Sequence, residues 1–219
     1  MAEATWSPVN LRPVQEVARD VAKYVLRQES DECLDLAVSG IKRGIDRLNL
    51  ETWRWGLSFD DQPTVAGDTE VSLQPDFSEP RRLMAQDPNG KEIYRIKYLG
   101  WAEFMREFPN ASVDGTPVCY SIPNSQGIGS LSFNCPMSDG FVTQYPSVRL
   151  WYYRRLVYPS DSPEAPLDCW PEAVDFLEWH AKTHVAATYA PLKVAFAKNQ
   201  ADEILRSLIA KNLSQTDWE

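Results

Sequence analysis

The sequence predicts an α+β protein: an α-helical bundle built from both chain ends, with a β-rich domain, a barrel or a sandwich, inserted between them. Three observations predict it. Apolar residues recur at helical spacing near the amino terminus (Val14, Val17, Ala18, Val21, Val25) and again near the carboxy terminus (Val174, Leu177, Ala181, Val185, Thr188). Between these stretches the pattern changes to short alternating runs separated by turn residues. Thirteen of the sixteen prolines lie between Pro63 and Pro171, where strand ends and turns accept a residue that helix interiors reject. Stripes at opposite ends of the chain must meet to be buried. The helical bundle is therefore expected from residues 1–52 and 168–219, and the insertion from 53–167.

Each element has its own signal. Pro13 suits a first helical turn, where its missing N–H costs nothing. Ser30 reads as the N-cap of a second helix, with Asp31 and Glu32 at the positive end of its dipole. Its stripe is Leu34, Ala37, Val38, Ile41, Ile45 and Leu48. Thr69 to Leu73 alternates after the turn-like Gly67-Asp68, as a strand does. Asp87-Pro88-Asn89-Gly90 is a turn joining Arg82–Ala85 to Glu92–Ile96 as a hairpin. Val118–Ile122, Ser130–Phe133 and Val148–Tyr158 read as further strands, and Trp101–Phe108 as a short helix stopped by Pro109. Pro171 opens a long helix that Pro191 ends or kinks, after which Leu192, Phe196, Ile204, Leu205, Leu208 and Ile209 continue the apolar pattern.

Composition removes several function classes. The chain has 219 residues, 43% hydrophobic and 24% charged, an ordinary globular balance. Area scaling gives about 70% of its surface buried on folding, so a core needs no disulfide or metal. The most apolar window, Val185 to Ala197, is broken by Thr188 and Lys193, so no membrane-spanning helix is expected. Met1-Ala2-Glu3-Ala4-Thr5 lacks the basic start and apolar stretch of a signal peptide, which points to synthesis in the cytoplasm. The net charge is −9. A chain that grips nucleic acid gathers phosphate-neutralising cations, whereas this one as a whole repels a polyanion.

The motifs that carry chemistry elsewhere are incomplete. Cys33, Cys119, Cys135 and Cys169 form no CxxC pair and read as reduced, buried thiols. His180 and His184 share a helix face, yet they are the only two histidines, and Ala181 stands where a metalloprotease has Glu. Gly127-Ile128-Gly129-Ser130 lacks the third glycine and the following helix of a phosphate loop, and reads as a hairpin turn. Asp60-Asp61 reads as a solvated turn. No catalytic or metal-binding residue is assigned, and no cofactor is implied.

What remains concerns surfaces. Gly40 and Gly44 put a small-xxx-small notch in the second helix, filled either by this chain's own side chains or by a neighbouring subunit. Residues 51–79 carry a net charge of −6 and 159–190 of −5, while 80–106 carry +3. Opposite patches on one small protein suit head-to-tail contacts. Trp53-Arg54-Trp55 and Trp151-Tyr152-Tyr153 are aromatic clusters whose outward members suit a protein interface or a sugar platform.

The order of these pieces carries a resemblance. A helical hairpin leads to Leu50-Glu51-Thr52-Trp53-Arg54-Trp55. Thr64-Val65-Ala66-Gly67-Asp68-Thr69-Glu70-Val71-Ser72-Leu73-Gln74-Pro75-Asp76-Phe77 and Arg81-Arg82-Leu83 follow. Further on stand Gly115-Thr116-Pro117-Val118-Cys119-Tyr120-Ser121-Ile122 and Val148-Arg149-Leu150-Trp151-Tyr152-Tyr153-Arg154. From about Pro13 to Leu213 the chain resembles the head-to-tail adaptor (neck, or tail-tubular) proteins of tailed bacteriophages, and most of all those of short-tailed phages with a β insertion. The resemblance implies a virion structural protein without catalytic residues, located in the neck or tail. It implies a ring of twelve copies beneath the portal protein that extends the DNA channel and docks tail nozzle or tail fibre proteins. Genomic DNA passes through such a ring without specific binding. On that footing Glu172, Asp175 and Glu178, or acids of the first helix pair, are candidates to line the channel. Leu213, Asp217 and Trp218 are candidates to dock on the portal. The alternative class is a soluble carbohydrate-binding module or cell-wall hydrolase, which needs two carboxylates at a set separation in a cleft.

Overall fold

Helix α1 (Val14–Val25) begins where the Pro13 carbonyl accepts the amides of Glu16 and Val17, at 3.1 and 3.2 Å. Helix α2 (Asp31–Leu48) starts at Ser30, whose hydroxyl accepts the Cys33 amide at 3.3 Å and satisfies one of the open donors of the first turn. These belong to a computed structural model that describes residues 12–25, 30–109, 112–123, 129–159, 166–167 and 169–214. Gly127 and Ile128 of the expected hairpin turn lie outside the described residues, as do Asp217 and Trp218. The fold is mixed α+β, with helices at both ends of the chain and strands between. It divides into two units, residues 1–55 with 156–219 and residues 56–155.

In the first unit α1 and α2 pack on α5 (Pro171–Tyr189), which also packs along α6 (Val194–Ser214). The core runs through Val14, Val17 and Val21 of α1, Ala37, Ile41 and Ile45 of α2, and Phe176, Leu177, Ala181 and Val185 of α5. Trp55 stacks between Trp53 and Trp170, with ring centroids 6.0 and 5.7 Å away. Two asparagines fix the segments that lead out to the strands and back. Asn212 on α6 accepts the Arg54 amide at 2.8 Å and donates to the Thr52 carbonyl at 2.9 Å. Asn49, at the C-cap of α2, binds both polar groups of Leu156.

The second unit is a seven-stranded sheet: β1 (Leu57–Pro63), β2 (Glu70–Ser72), β3 (Phe77–Gln86), β4 (Glu92–Tyr98), β5 (Cys119–Ser121), β6 (Ser130–Phe133) and β7 (Ser147–Arg154). The spatial order is β1-β7-β3-β4-β5-β6-β2, antiparallel except for β4 beside β5. The two outer strands, β1 and β2, are consecutive in the chain, so residues 64–69 alone connect them. A flat sheet of seven strands holds its edges about 29 Å apart at ~4.8 Å per strand. The connection reaches at most about 25 Å. The sheet therefore curls toward a nearly closed barrel, filled by Leu83, Ala85, Ile96, Leu131, Phe133 and Leu150 among others. Short helices α3 (Trp101–Glu107) and α4 (Asp139–Gln144) sit in its loops.

Several local expectations are corrected. Asp60 and Asp61 form no turn; they lie in β1, paired with Leu150 and Arg149 of β7. Polar composition concealed this strand because it is an edge strand, with Leu57 and Phe59 39% and 44% exposed. Six-residue α4, capped by the Ser138 hydroxyl and burying only Phe141, is too short to show a period. Thr188 faces solvent, and Tyr189 takes its place against the core. Leu192 and Phe196 are likewise exposed. The 3-10 turn Pro191–Lys193 resets the phase of the helix that follows, whose buried positions are Ala197, Ala201, Leu205 and Leu208. The strand expected from Val148 to Tyr158 ends at Arg154, and Leu156 joins the helical core.

Candidate functional site: the acidic face of α5 and its packing

Gly40 and Gly44 lie buried on the side of α2 that meets α5. A Cβ on Gly40 would stand 2.8 Å from the Ala181 Cα, and one on Gly44 2.8 Å from the Leu177 Cδ2. Helix α5 of the same chain fills the notch, and the two backbones approach as only glycine permits. His180 completes the crossing. Its Nδ1 lies 3.2 Å from the Gly40 carbonyl, and its ring packs on Phe176 with centroids 5.5 Å apart. Burial first, then Arg43 and Arg47, push the His180 imidazole below its ordinary range; the hydrogen bond to Gly40 opposes this. His184 is lowered in the same direction by burial and Arg43. Among the described residues no three His, Cys, Asp or Glu side chains group as metal ligands.

The three acids of α5 have different surroundings. Glu172 accepts from Lys211 of α6 at 2.9 Å, and that hydrogen bond holds its carboxyl below the ordinary range. Glu178 is 15% exposed and receives two cations: Arg12 Nη1 at 2.7 Å and Lys182 Nζ at 2.5 Å. Arg12 also reaches Glu16 at 3.2 Å and Asp20 at 2.5 Å, joining the start of α1 to α5. Lys182 is itself buried, its ammonium 4.1 Å from the Trp179 ring centroid and 5.3 Å from that of Tyr24. Two aromatic faces and a carboxylate replace the water it loses. Asp175 is exposed, and no ion pair joins it to another described residue. Partial desolvation and then the Glu178 carboxylate raise its carboxyl above the ordinary range. Arg12 and Lys182 oppose that rise from a distance, and of the three acids Asp175 alone is exposed and joined to no cation in an ion pair among the described residues. The apolar stripe of Val174, Leu177, Ala181 and Val185 revealed the helix that carries these acids, but not Arg12, whose position beside them depends on how α1 packs.

At the far end of α6 the Leu213 side chain is 73% exposed. In the β unit a second polar cluster, missed in the sequence, covers the outer face of the sheet. Arg149 makes paired bonds of 2.7 Å to Asp61 and lies over the Phe59 ring at 4.4 Å. Trp151 donates its indole N–H to Glu92 at 2.7 Å, while Arg82 sits 4.9 Å over the same indole and 3.3 Å from Glu92. The alternation of Arg149, Trp151 and Tyr153 along β7 is the signal that identifies this outward row. No described helix is long and apolar enough to cross a membrane.

A helical unit drawn from both ends of the chain and a curled sheet inserted between them in sequence define an α+β protein of two units. Residues 12–218 match the family model described as SU10 adaptor protein. The chain belongs to the SU10 adaptor protein family, and it is a structural protein of the phage adaptor type. A search of curated proteins finds no match.

Proposed function

We propose that this chain is the head-to-tail adaptor of a virion neck: twelve copies form a ring beneath the portal, continue the DNA channel and dock the tail nozzle or tail fibres. The family match across residues 12–218 is the observation that carries the reading. Charge agrees with it. Nine net negative charges per chain multiply to 108 in a ring of twelve, and a wall of that sign repels DNA and lets it slide. Asp175, as the exposed acid of α5, faces the lumen. The carboxy-terminal segment that begins at the exposed Leu213 docks on the portal, with Asp217 and Trp218 in the contact, because aromatic anchors dominate interface energy.

Electron microscopy of the chain mixed with a portal assembly tests this. Density for a twelve-fold ring on the portal is the expected result. A chain lacking Gln215–Glu219 should fold as the full chain does and fail to decorate the portal. Undecorated portals with the full chain would overturn the reading; normal decoration by the truncated chain would remove the docking role of the carboxy terminus.

A further inference from the structure

The β unit carries two walls of opposite charge. On the outer face of β1, β7, β3 and β4 stand Arg81, Arg82, Arg95, Lys97 and Arg149, five bases against the acids Asp61, Glu79 and Glu92. Arg82 and Arg149 lie over the Trp151 and Phe59 rings as described, and Arg81 makes a 2.8 Å bond to the Tyr153 hydroxyl. Exposed apolar side chains lie among them: Leu57, Phe59 and Ile93, the last 49% exposed. In a chain of net charge −9 this concentration of arginine is the exception.

The other wall is formed where three segments run side by side. The Met137 amide bonds the Asp68 carbonyl at 3.1 Å and its carbonyl takes the Gly67 amide at 2.9 Å, while Gly115 bonds Pro136 and Ser138, each at 2.9 Å. These contacts gather Asp68, Glu70, Asp114 and Asp139, all exposed, and residues 62–72, 112–117 and 129–140 contain no base. Exposed Val65 and Val113 give this wall an apolar component, at 51% and 77% exposure. In the order β1-β7-β3-β4-β5-β6-β2, the basic wall occupies β1, β7, β3 and β4, while the acidic wall belongs to β2, β6 and the loops beside them. The two walls are separate surfaces of one small body.

The geometry points to a head-to-tail contact between β units of neighbouring copies, in which the arginine–aromatic wall of one copy receives the acidic wall of the next. This deepens the ring reading above and rests on it. A closed ring needs two different, complementary patches on each subunit, facing apart. The walls are different surfaces of opposite sign, and each brings apolar side chains to the contact. A second copy, which carries the matching wall, fits better than a nucleic acid, which the net charge of the chain repels.

The test uses full-length chains with paired charge reversals at exposed positions outside the aromatic ladder. One variant is Arg95→Glu with Lys97→Glu; the other is Asp68→Lys with Asp114→Lys. Self-association is measured by sedimentation velocity at low and high salt, and ring formation on portals by electron microscopy. The expected result is wild-type self-association that weakens with salt, a roughly tenfold or greater loss in each variant alone, and recovery when the two variants are mixed. Equal association by either variant alone, or a mixture that stays apart while the wild type associates, overturns the contact and leaves the ring in place. A wild-type chain that forms no assembly, free or on portals, counts against the ring itself. If Arg95→Glu with Lys97→Glu loses binding to a double-stranded oligonucleotide while self-association is unchanged, the wall is a polyanion surface and the contact is overturned.

Discussion

Asn49 binds Leu156 with both ends of its amide: Nδ2 donates to the Leu156 carbonyl and Oδ1 accepts the Leu156 amide, each at 2.8 Å. These residues are 107 positions apart, with the whole sheet between them. The pair resembles one rung of an antiparallel ladder, with a side chain standing in for a strand. It anchors the returning chain at the end of α2, just before Leu156 enters the helical core.

Asn49→Ala removes both bonds and leaves two backbone groups of a buried residue without them. The expected cost is about 1–3 kcal/mol, the range for unmet buried polar groups. Urea unfolding followed by far-ultraviolet circular dichroism checks it. A stability within a few tenths of a kcal/mol of wild type would show that water replaces the amide at no cost.

The two glycines of α2 should respond differently to the same change. Gly40→Ala places a methyl 2.8 Å from the backbone Cα of Ala181, so one helix must move. Overpacking of this kind costs about 1–3 kcal/mol, more than the 0.5–1 kcal/mol or so that alanine contributes to a helix interior. Gly44→Ala meets the mobile end of Leu177 instead, which rotates away, leaving a net change of about 1 kcal/mol or less. Thermal unfolding of the two variants should therefore rank Gly40→Ala well below Gly44→Ala.

These residues also show what was legible in advance. The stripes of α1 and α2, the Ser30 cap and the Asp87–Gly90 hairpin follow from local rules, because each is decided within a few residues. The Asp87 carboxylate, for example, accepts the amides of Asn89 and Lys91, both at 2.9 Å. Gly40 and Gly44 announced a close approach but not its occupant, since Ala181 is distant in sequence. Strand β1 was misread because its partner β7 and the Arg149 that neutralises Asp61 lie about ninety residues away. The phase of α6 was lost at Pro191, where a single 3-10 turn moves Leu192 and Phe196 out of the buried row. Local chemistry was readable; long-range pairing of charged side chains was not.

His180 makes the helical unit sensitive to mild acid. Its imidazole titrates below the ordinary 6.5 when folded, so the unfolded chain binds the proton first. The contribution of His180 is then complete above about pH 6.5 and is lost as pH falls toward the folded value. Protonation also places a cation near Arg43 and Arg47 of α2, with Asp202 of α6 as the opposing acid and His184 titrating in the same direction. Between pH 7.5 and 5.5, above the carboxylate range, wild-type stability should decline. His180→Asn, which keeps a donor near the Gly40 carbonyl and cannot be protonated, should flatten much of that slope. Equal slopes for both chains would assign the effect to other groups.

Asp175 and Glu178 separate the electrostatics of a channel wall from those of the fold. Glu178→Lys puts a third cation between Arg12 and Lys182, where two already converge within 2.7 Å of the carboxylate. Removing the acid from a partly buried cluster of this kind costs about 3–5 kcal/mol, so this variant should unfold at lower temperature and yield little assembled material. Asp175→Lys changes the same charge at an exposed site, and surface substitutions typically alter stability by about 0.5 kcal/mol or less. Its melting temperature should match wild type. If α5 lines the channel, phage carrying Asp175→Lys should eject DNA more slowly, because each ring gains attraction for the passing polyanion in place of repulsion. Time-resolved dye entry into ejected DNA measures this. Unchanged ejection by a fully assembled Asp175→Lys particle would place α5 away from the lumen, while the loss of assembly in Glu178→Lys alone would still follow from its bonds to Arg12 and Lys182.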